Sequence, residues 1–266
     1  YMCICVQRMT WPLVDACKQL SAGLFDLEGN AFLKLPGIYV ERLRQTREES
    51  ETAVSGTVFT ARATRLVRAF LHRYPYEWKQ SDLVRKTKLS AGYVSILVRR
   101  LIEQEYVSNR LGLYYVEDPE RLLNDWAVHY RFSRHRKMTY AMSASSYEEG
   151  VRKLGANLAI GVKRYAWTGW TGAYLRAAHV TSTQYMAYVS EQPGQMEQVF
   201  EVEAQGNVVL YIPHDEGVFQ FTTESENGEI VSDGQLYVDL CRMPGRAKEQ
   251  ADALRHSRLD SNRTGR

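Results

Sequence analysis

At 266 residues, with 44% apolar and 24% charged side chains, the chain has ordinary globular composition and room for two or three domains, which excludes a fibre, a coiled coil or a wholly disordered polymer. No apolar run reaches the roughly 18 to 20 residues that span a bilayer, and the first twenty residues lack a basic start followed by an apolar stretch. A soluble, cytoplasmic protein without a membrane partner is therefore expected. The net charge is only +3, but it is unevenly spread. Residues 60–110 hold eleven Lys or Arg against four acids, an excess of seven, which leaves the rest of the chain at −4.

In chain order, residues 1–42 mix strand-like and helix-like stretches. Residues 3–6 and 37–40 read as short buried strands, and Leu13, Ala16, Cys17 and Leu20 recur at helical spacing. Residues 1–50 are thus expected to be part of an α/β unit, and because the sequence opens at Tyr1 directly before a strand, an incomplete one. Residues 43–56 are charged and poor in large apolar side chains, as in a linker.

Thr60 is in position to cap a helix carrying Leu66, Val67, Phe70 and Leu71 and ending before Pro75. Ser81 is in position to cap a second, short helix with Leu83 and Val84, and Leu89 leads into a tight turn. Ser90 then caps a third helix, whose stripe of Val94, Leu97, Val98, Leu101 and Ile102 repeats at three- and four-residue steps. Two strand-forming runs around a polar, Gly-containing turn follow within residues 106–116 and predict a β-hairpin. Asp118-Pro119 opens another helix with Leu122, Leu123 and Trp126 on one face. Beyond it the pattern alternates: helix near 147–160, strand near 163–167, helix near 169–178, strands near 183–189 and 207–212, and a helix starting near Gly245. The residues from 257 to 266 read as a flexible tail.

The fold class expected is therefore mixed α+β: a central winged helix-turn-helix in residues 56–138, with its following helix, flanked by the N-terminal segment and a C-terminal α/β domain in 139–256. Three helices and a hairpin in that order suit double-stranded DNA, because a major groove admits one α-helix. With the apolar stripe committed to the core, the third helix offers Ser90, Gly92, Tyr93, Ser95, Arg99 and Arg100 for base readout. Around it Arg62 and Arg65 on the first helix, Lys79 and Gln80 at the start of the second, and Asn109 and Arg110 on the wing are expected at phosphates, which give salt-dependent affinity without reading sequence.

At this point the residues themselves resemble a family. Phe59-Thr60-Ala61-Arg62-Ala63-Thr64-Arg65-Leu66-Val67-Arg68, Leu89-Ser90-Ala91-Gly92-Tyr93-Val94-Ser95, and Asp118-Pro119 with Leu122-Leu123-Asn124-Asp125-Trp126 are similar to the AbiEi-type antitoxins of type IV toxin–antitoxin systems. Asp26-Leu27-Glu28-Gly29-Asn30-Ala31 near the start agrees, as do Leu236-Tyr237-Val238-Asp239-Leu240 and Gly245-Arg246-Ala247-Lys248-Glu249-Gln250-Ala251 near the end. The resemblance implies an autorepressing transcriptional regulator that binds repeats in its own promoter and has no need to touch its nucleotidyltransferase-like toxin.

The alternative class is a DNA-targeted enzyme, a nuclease or nucleotidyltransferase relative. The N-terminal segment resembles a restriction-endonuclease-like fold, whose Mg²⁺ site needs an Asp with a Glu-x-Lys or Asp-x-Lys pair. Asp26, Glu28 and Glu41 are available, but Asn30 and Leu43 stand where the lysine belongs. Asp26 and Asn30 are instead expected to organise a turn between strands. Trp167-Thr168-Gly169-Trp170-Thr171-Gly172 lacks the lysine of a phosphate loop and reads as a buried strand end running into a helix, with Thr171 near its cap. The four cysteines and six histidines fall at no metal-ligand spacing, so no metal, cofactor or catalytic residue is expected. The basic run 131–137, flanked by His129 and His135, reads equally as a solvated face or as extra phosphate contacts.

Overall fold

A computed structural model describes residues 2–7, 13, 17, 20, 22–27, 29–35, 38–42, 57–72, 74–194, 200–203 and 205–260. The chain divides into two compact units, Tyr1–Ser55 and Gly56–Arg266. The described residues form a mixed α+β protein.

In the first unit β1 (Cys3–Val6), β2 (Gly23–Asp26), β3 (Ala31–Leu35) and β4 (Ile38–Arg42) make a sheet in that order, with β1 parallel to β2 and the rest antiparallel. Cys17, Ala22, Leu24 and Phe32 are its small core. The strands expected to be buried near 3–6 and 37–40 are, among the described residues, the two edges of the sheet; Tyr39 and Val40 are 60% and 40% exposed. Leu13 and Cys17 are helical and Leu20 is exposed; the remainder of the expected helix and the linker at 43–56 lie outside the described residues. The turn from β2 to β3 is built as its residues foretell. Asp26, itself buried, accepts the backbone N–H of Asn30 at 2.8 Å through Oδ1 and the Asn30 side-chain amide at 2.7 Å through Oδ2.

The second unit begins with α1 (Thr64–His72), β5 (Trp78–Lys79), α2 (Gln80–Thr87), α3 (Ala91–Glu103), β6 (Val107–Arg110), β7 (Leu113–Val116) and α4 (Pro119–His129). Strands β5, β7 and β6 form an antiparallel sheet in that order. A seven-stranded sheet follows, built from β8 (Arg136–Ala141), β9 (Tyr165–Trp167), β10 (Tyr185–Val189), β11 (Glu201–Val202), β12 (Val208–Ile212), β13 (Thr223–Ser225) and β14 (Gly228–Ile230), in the order β11-β8-β12-β10-β9-β14-β13. Its helices are α5 (Tyr147–Gly161), α6 (Gly169–Ala177), α7 (Asp233–Leu240) and α8 (Ala247–Leu254). The central strands β10 and β12 run parallel and are apolar throughout, as strands covered on both faces must be.

Several local expectations hold. Ser90 Oγ accepts the Tyr93 N–H at the start of α3, and Asp118 accepts the Arg121 N–H at 2.9 Å with Pro119 in the first turn of α4. Others are corrected. Thr60 does not cap α1, which starts at Thr64, and its hydroxyl is buried with no hydrogen-bond partner among the described residues. Ser81 lies inside α2, whose cap position is Lys79. Ile102 is 38% exposed and leaves the stripe after Leu101.

As expected Thr171 lies near the start of α6, in its first turn, where its hydroxyl accepts the Met186 N–H; the cap position itself is Thr168, whose hydroxyl donates to Asp239. Residues 255–260 are a π-type helical run rather than a tail, and 261–266 lie outside the described residues. The basic residues of the run, Arg131, Arg134, Arg136 and Lys137, are all exposed, and the last two open β8. Helix α7 escapes a periodicity reading because it is buried on all sides, from Gly234 to Leu240.

The boundary expected near residue 138 falls inside one compact unit. A single hydrophobic core runs from Val58 through Leu97, Trp126, Trp167 and Leu210 to Leu254. Among the described residues no helix is long and apolar enough to cross a membrane.

Candidate nucleic-acid interface

Three helices share one small core. Leu66, Val67 and Phe70 of α1, Leu83 of α2, Leu89 of the connection, and Val94, Leu97, Val98 and Leu101 of α3 are all at most 3% exposed. Three residues join α2 to α3. Lys88 takes the left-handed conformation (φ 57°) and returns its N–H to Val84, Leu89 plugs the core, and Ser90 caps α3. The connection is thus a short turn, closed by a left-handed residue on one side and a side-chain cap on the other.

Because four core residues fix how α3 is rolled, its outward face follows. Gly92, Ser95 and Arg99 fall on one line at three- and four-residue steps, with Ile96, 42% exposed, beside them. The outward position of Ile96 was legible from its place off the Val94–Leu97–Val98–Leu101 stripe, but its apolar character hid it. An alanine Cβ built at Gly92 meets nothing within 4 Å among the described residues, so their packing does not require glycine there.

Other expected residues take different places. Arg62 precedes α1 instead of lying on it, and its guanidinium stands 5.8 Å from the centroid of the Tyr93 ring; that tyrosine is half-buried and packs against the core. Ser90 is exposed, its Oγ engaged as the cap 3.3 Å from the Tyr93 N–H. Arg100 is half-buried and Arg99 exposed. Lys79 is exposed on β5, while Gln80 receives the Tyr114 hydroxyl at 3.5 Å. Asn109 and Arg110 end β6 beside the hairpin turn, and both are exposed.

Arg65 is the clear departure. Its Nε and Nη2 each reach Asp215 at 2.8 Å in a bidentate pair, with 15% and 9% of the two side chains exposed. It is held by a residue 150 positions away and does not face solvent as a phosphate ligand would. Gln220 donates to the Thr87 carbonyl at 2.9 Å from the same region. Gly217 permits this approach, since a Cβ there would lie 2.7 Å from Arg65 Cγ.

Behind this brace lies a buried polar network. Arg68, 3% exposed and stacked 5.0 Å over Trp126, donates to Gln235 Oε1 from Nε (2.8 Å) and Nη2 (2.5 Å), and to Thr64 Oγ1. The Gln235 amide donates onward to Asp239 Oδ1 (2.7 Å) and to the Tyr130 hydroxyl (2.9 Å). Asp239 also receives Thr168 (2.5 Å) and Tyr188 (3.0 Å). Tyr130 meets His135 Nε2 at 2.7 Å, and His135 Nδ1 accepts the His214 N–H, so the imidazole proton sits on Nε2. Burial pushes the Asp239 carboxyl up to about 6, against the hydrogen bonds that favour its ionised form. Burial, then the charges of Arg68 and His214, lowers His135 to about 4. Among the described residues no group of three or more His, Cys, Asp or Glu is placed to hold a metal.

The geometry is thus a capped helix held by a small core, beside a hairpin that carries Arg110 and in one unit with a mixed sheet. The family described as "Transcriptional regulator, AbiEi antitoxin, Type IV TA system" matches over residues 115–260, more than half of the chain, and the chain belongs to that family. No curated protein and no solved structure matches it.

Proposed function

We propose that residues 57–116 form a winged helix-turn-helix that binds double-stranded DNA, and that the protein is an autorepressing antitoxin acting on repeats in its own promoter without touching its toxin. The observation that carries this is the outward face of α3, where small and polar residues around Gly92 and Ser95 lead to Arg99, on a helix fixed by Val94, Leu97 and Leu101. In this reading α3 enters the major groove, Ser95, Arg99 and Arg100 reach base edges, and Ser90, Gly92 and Tyr93 bring the first turn close to them. Lys79, Gln80, Asn109, Arg110 and Arg62 serve phosphates. Arg65 is reassigned to the brace. The residues beyond 139 hold the module in place and do not form a separable domain.

The test is titration of the full chain against duplex DNA over a range of salt. Lys79→Ala and Arg110→Ala are each expected to weaken binding to all sequences alike and to lower the salt slope by about one. Arg65→Ala should leave the slope unchanged and instead destabilise the fold by about 2 kcal/mol, the value of hydrogen bonds to a charged group. Binding that is indifferent to salt and to both variants sinks the proposal.

Gly92 gives an independent test. Gly92→Ala is expected to stabilise the fold by roughly 0.5 to 1 kcal/mol, because alanine is the better helix former and meets nothing here. It should nevertheless weaken DNA binding, since the added methyl group stands between backbone and base edges. A variant that is both more stable and fully active would show that α3 does not approach DNA through this face.

A further inference from the structure

The hairpin between β6 and β7 turns in two residues, since Arg110 pairs with Leu113. Both turn residues lie in the left-handed region, Leu111 at φ 54° and Gly112 at φ 83°. This is the type I′ geometry that matches strand twist, and it calls for Asn, Asp or Gly at its first position, where a branched side chain crowds the backbone. The second position satisfies the rule and the first breaks it. Leu111 is also 98% exposed, so no burial within the described residues offsets the strain. The tip is held in shape from both sides: Asn109 Oδ1 accepts the Gly112 N–H at 3.1 Å, and the Arg110 guanidinium lies 5.5 Å from the Tyr115 ring centroid. The chain therefore holds a strained, fully solvated apolar side chain at a fixed point between polar neighbours. An outlier of this kind, costly in backbone and in solvation, points to a partner.

We propose that Leu111 is a DNA-contacting residue, an apolar wedge that the hairpin tip seats in a groove of the duplex. The inference rests on the DNA-binding reading above. Charge selects the partner: the tip carries Arg110 and Lys79 is exposed on a strand of the same sheet, so the surface attracts a polyanion. Once the arginine is at the backbone, the leucine meets sugar edges and base-step faces, the apolar surfaces that side chains of this type wedge against in a groove.

The experiment compares the full chain with Leu111→Gly, Leu111→Asn and Arg110→Ala on a mixed-sequence duplex of about three helical turns. Both Leu111 variants suit the turn, so each is expected to raise Tm, by about 2 to 4 °C, while weakening binding roughly five- to tenfold. The salt slope should stay at the parent value, because an apolar contact releases no counterion, whereas Arg110→Ala lowers it. Leu111 variants that bind within about twofold of the parent overturn the proposal and leave the DNA-binding reading intact. Loss that comes with a changed salt slope or a lowered Tm also overturns it, assigning the effect to charge or folding. A parent chain that does not bind the duplex defeats both readings, and Arg110→Ala then has no effect either.

Discussion

Gln235→Ala is expected to cost about 3 to 5 kcal/mol of folding stability, a large part of what a domain has in hand. The reason lies in what the amide joins. Gln235 Oε1 takes two N–H groups of the buried Arg68 guanidinium, and its Nε2 serves Asp239 and Tyr130. Removing it leaves a buried cation short of acceptors and a buried carboxylate short of a donor, and unsatisfied buried charges are far more costly than a lost surface contact. Denaturant unfolding of the full chain measures the loss as a lower midpoint at unchanged slope. Pairing Gln235→Leu with Arg68→Met should recover much of it, because the double variant leaves no unpaired cation behind. A cost below about 1 kcal/mol for Gln235→Ala would mean that the network does not brace α1.

Asp239 and His135 are expected to give the fold opposite pH dependences that nearly cancel in the parent protein. Asp239 has its folded pKa raised to about 6 by burial, above the unfolded value. The folded chain therefore holds a proton that the unfolded chain has lost, and this contribution is fully present below about pH 4 and disappears as pH rises through 6. His135 is lowered to about 4, below its unfolded value. Its contribution is present above about pH 6.5 and disappears as pH falls through 4.

Each contribution is about 3 kcal/mol, over almost the same window. Asp239→Asn keeps the oxygen facing Tyr188 and Gln235 and can donate to Thr168, so the fold survives and the His135 slope is unmasked: stability should climb with pH between about 4 and 6.5. His135→Gln keeps a donor toward Tyr130 and should show the reverse, stability falling as pH rises from about 4 to 6. Urea midpoints across that range decide it. Two variants with the parent's slope would show that neither group titrates with folding.

How much of this was legible depends on reach along the chain. The helices α1 to α4, the Ser90 and Asp118 caps, the hairpin and the Asp26–Asn30 turn are legible in the sequence, because each is set by residues within about four positions of one another. The same local logic misplaced Thr60 and Ser81 as caps by a residue or more, since side chains able to cap are common near every helix start and only backbone geometry selects among them.

Strand β8 hid behind its leading Arg136 and Lys137, and α7 behind its all-round burial. Neither shows an amphipathic period, because their neighbours, and not a solvent face, determine their pattern. The sequence by itself determined which residues are helical around the candidate interface, which face of α3 is apolar, and the charge excess of residues 60–110. The tertiary structure decided which of those charges remain available. Arg65 and Arg68 look like any other surface arginines in the sequence, yet Asp215 and Gln235, 150 and 167 residues away, draw them into the protein. No local periodicity encodes a pair closed across that distance; it exists only once the shared core has folded and the low dielectric around it makes a partner obligatory.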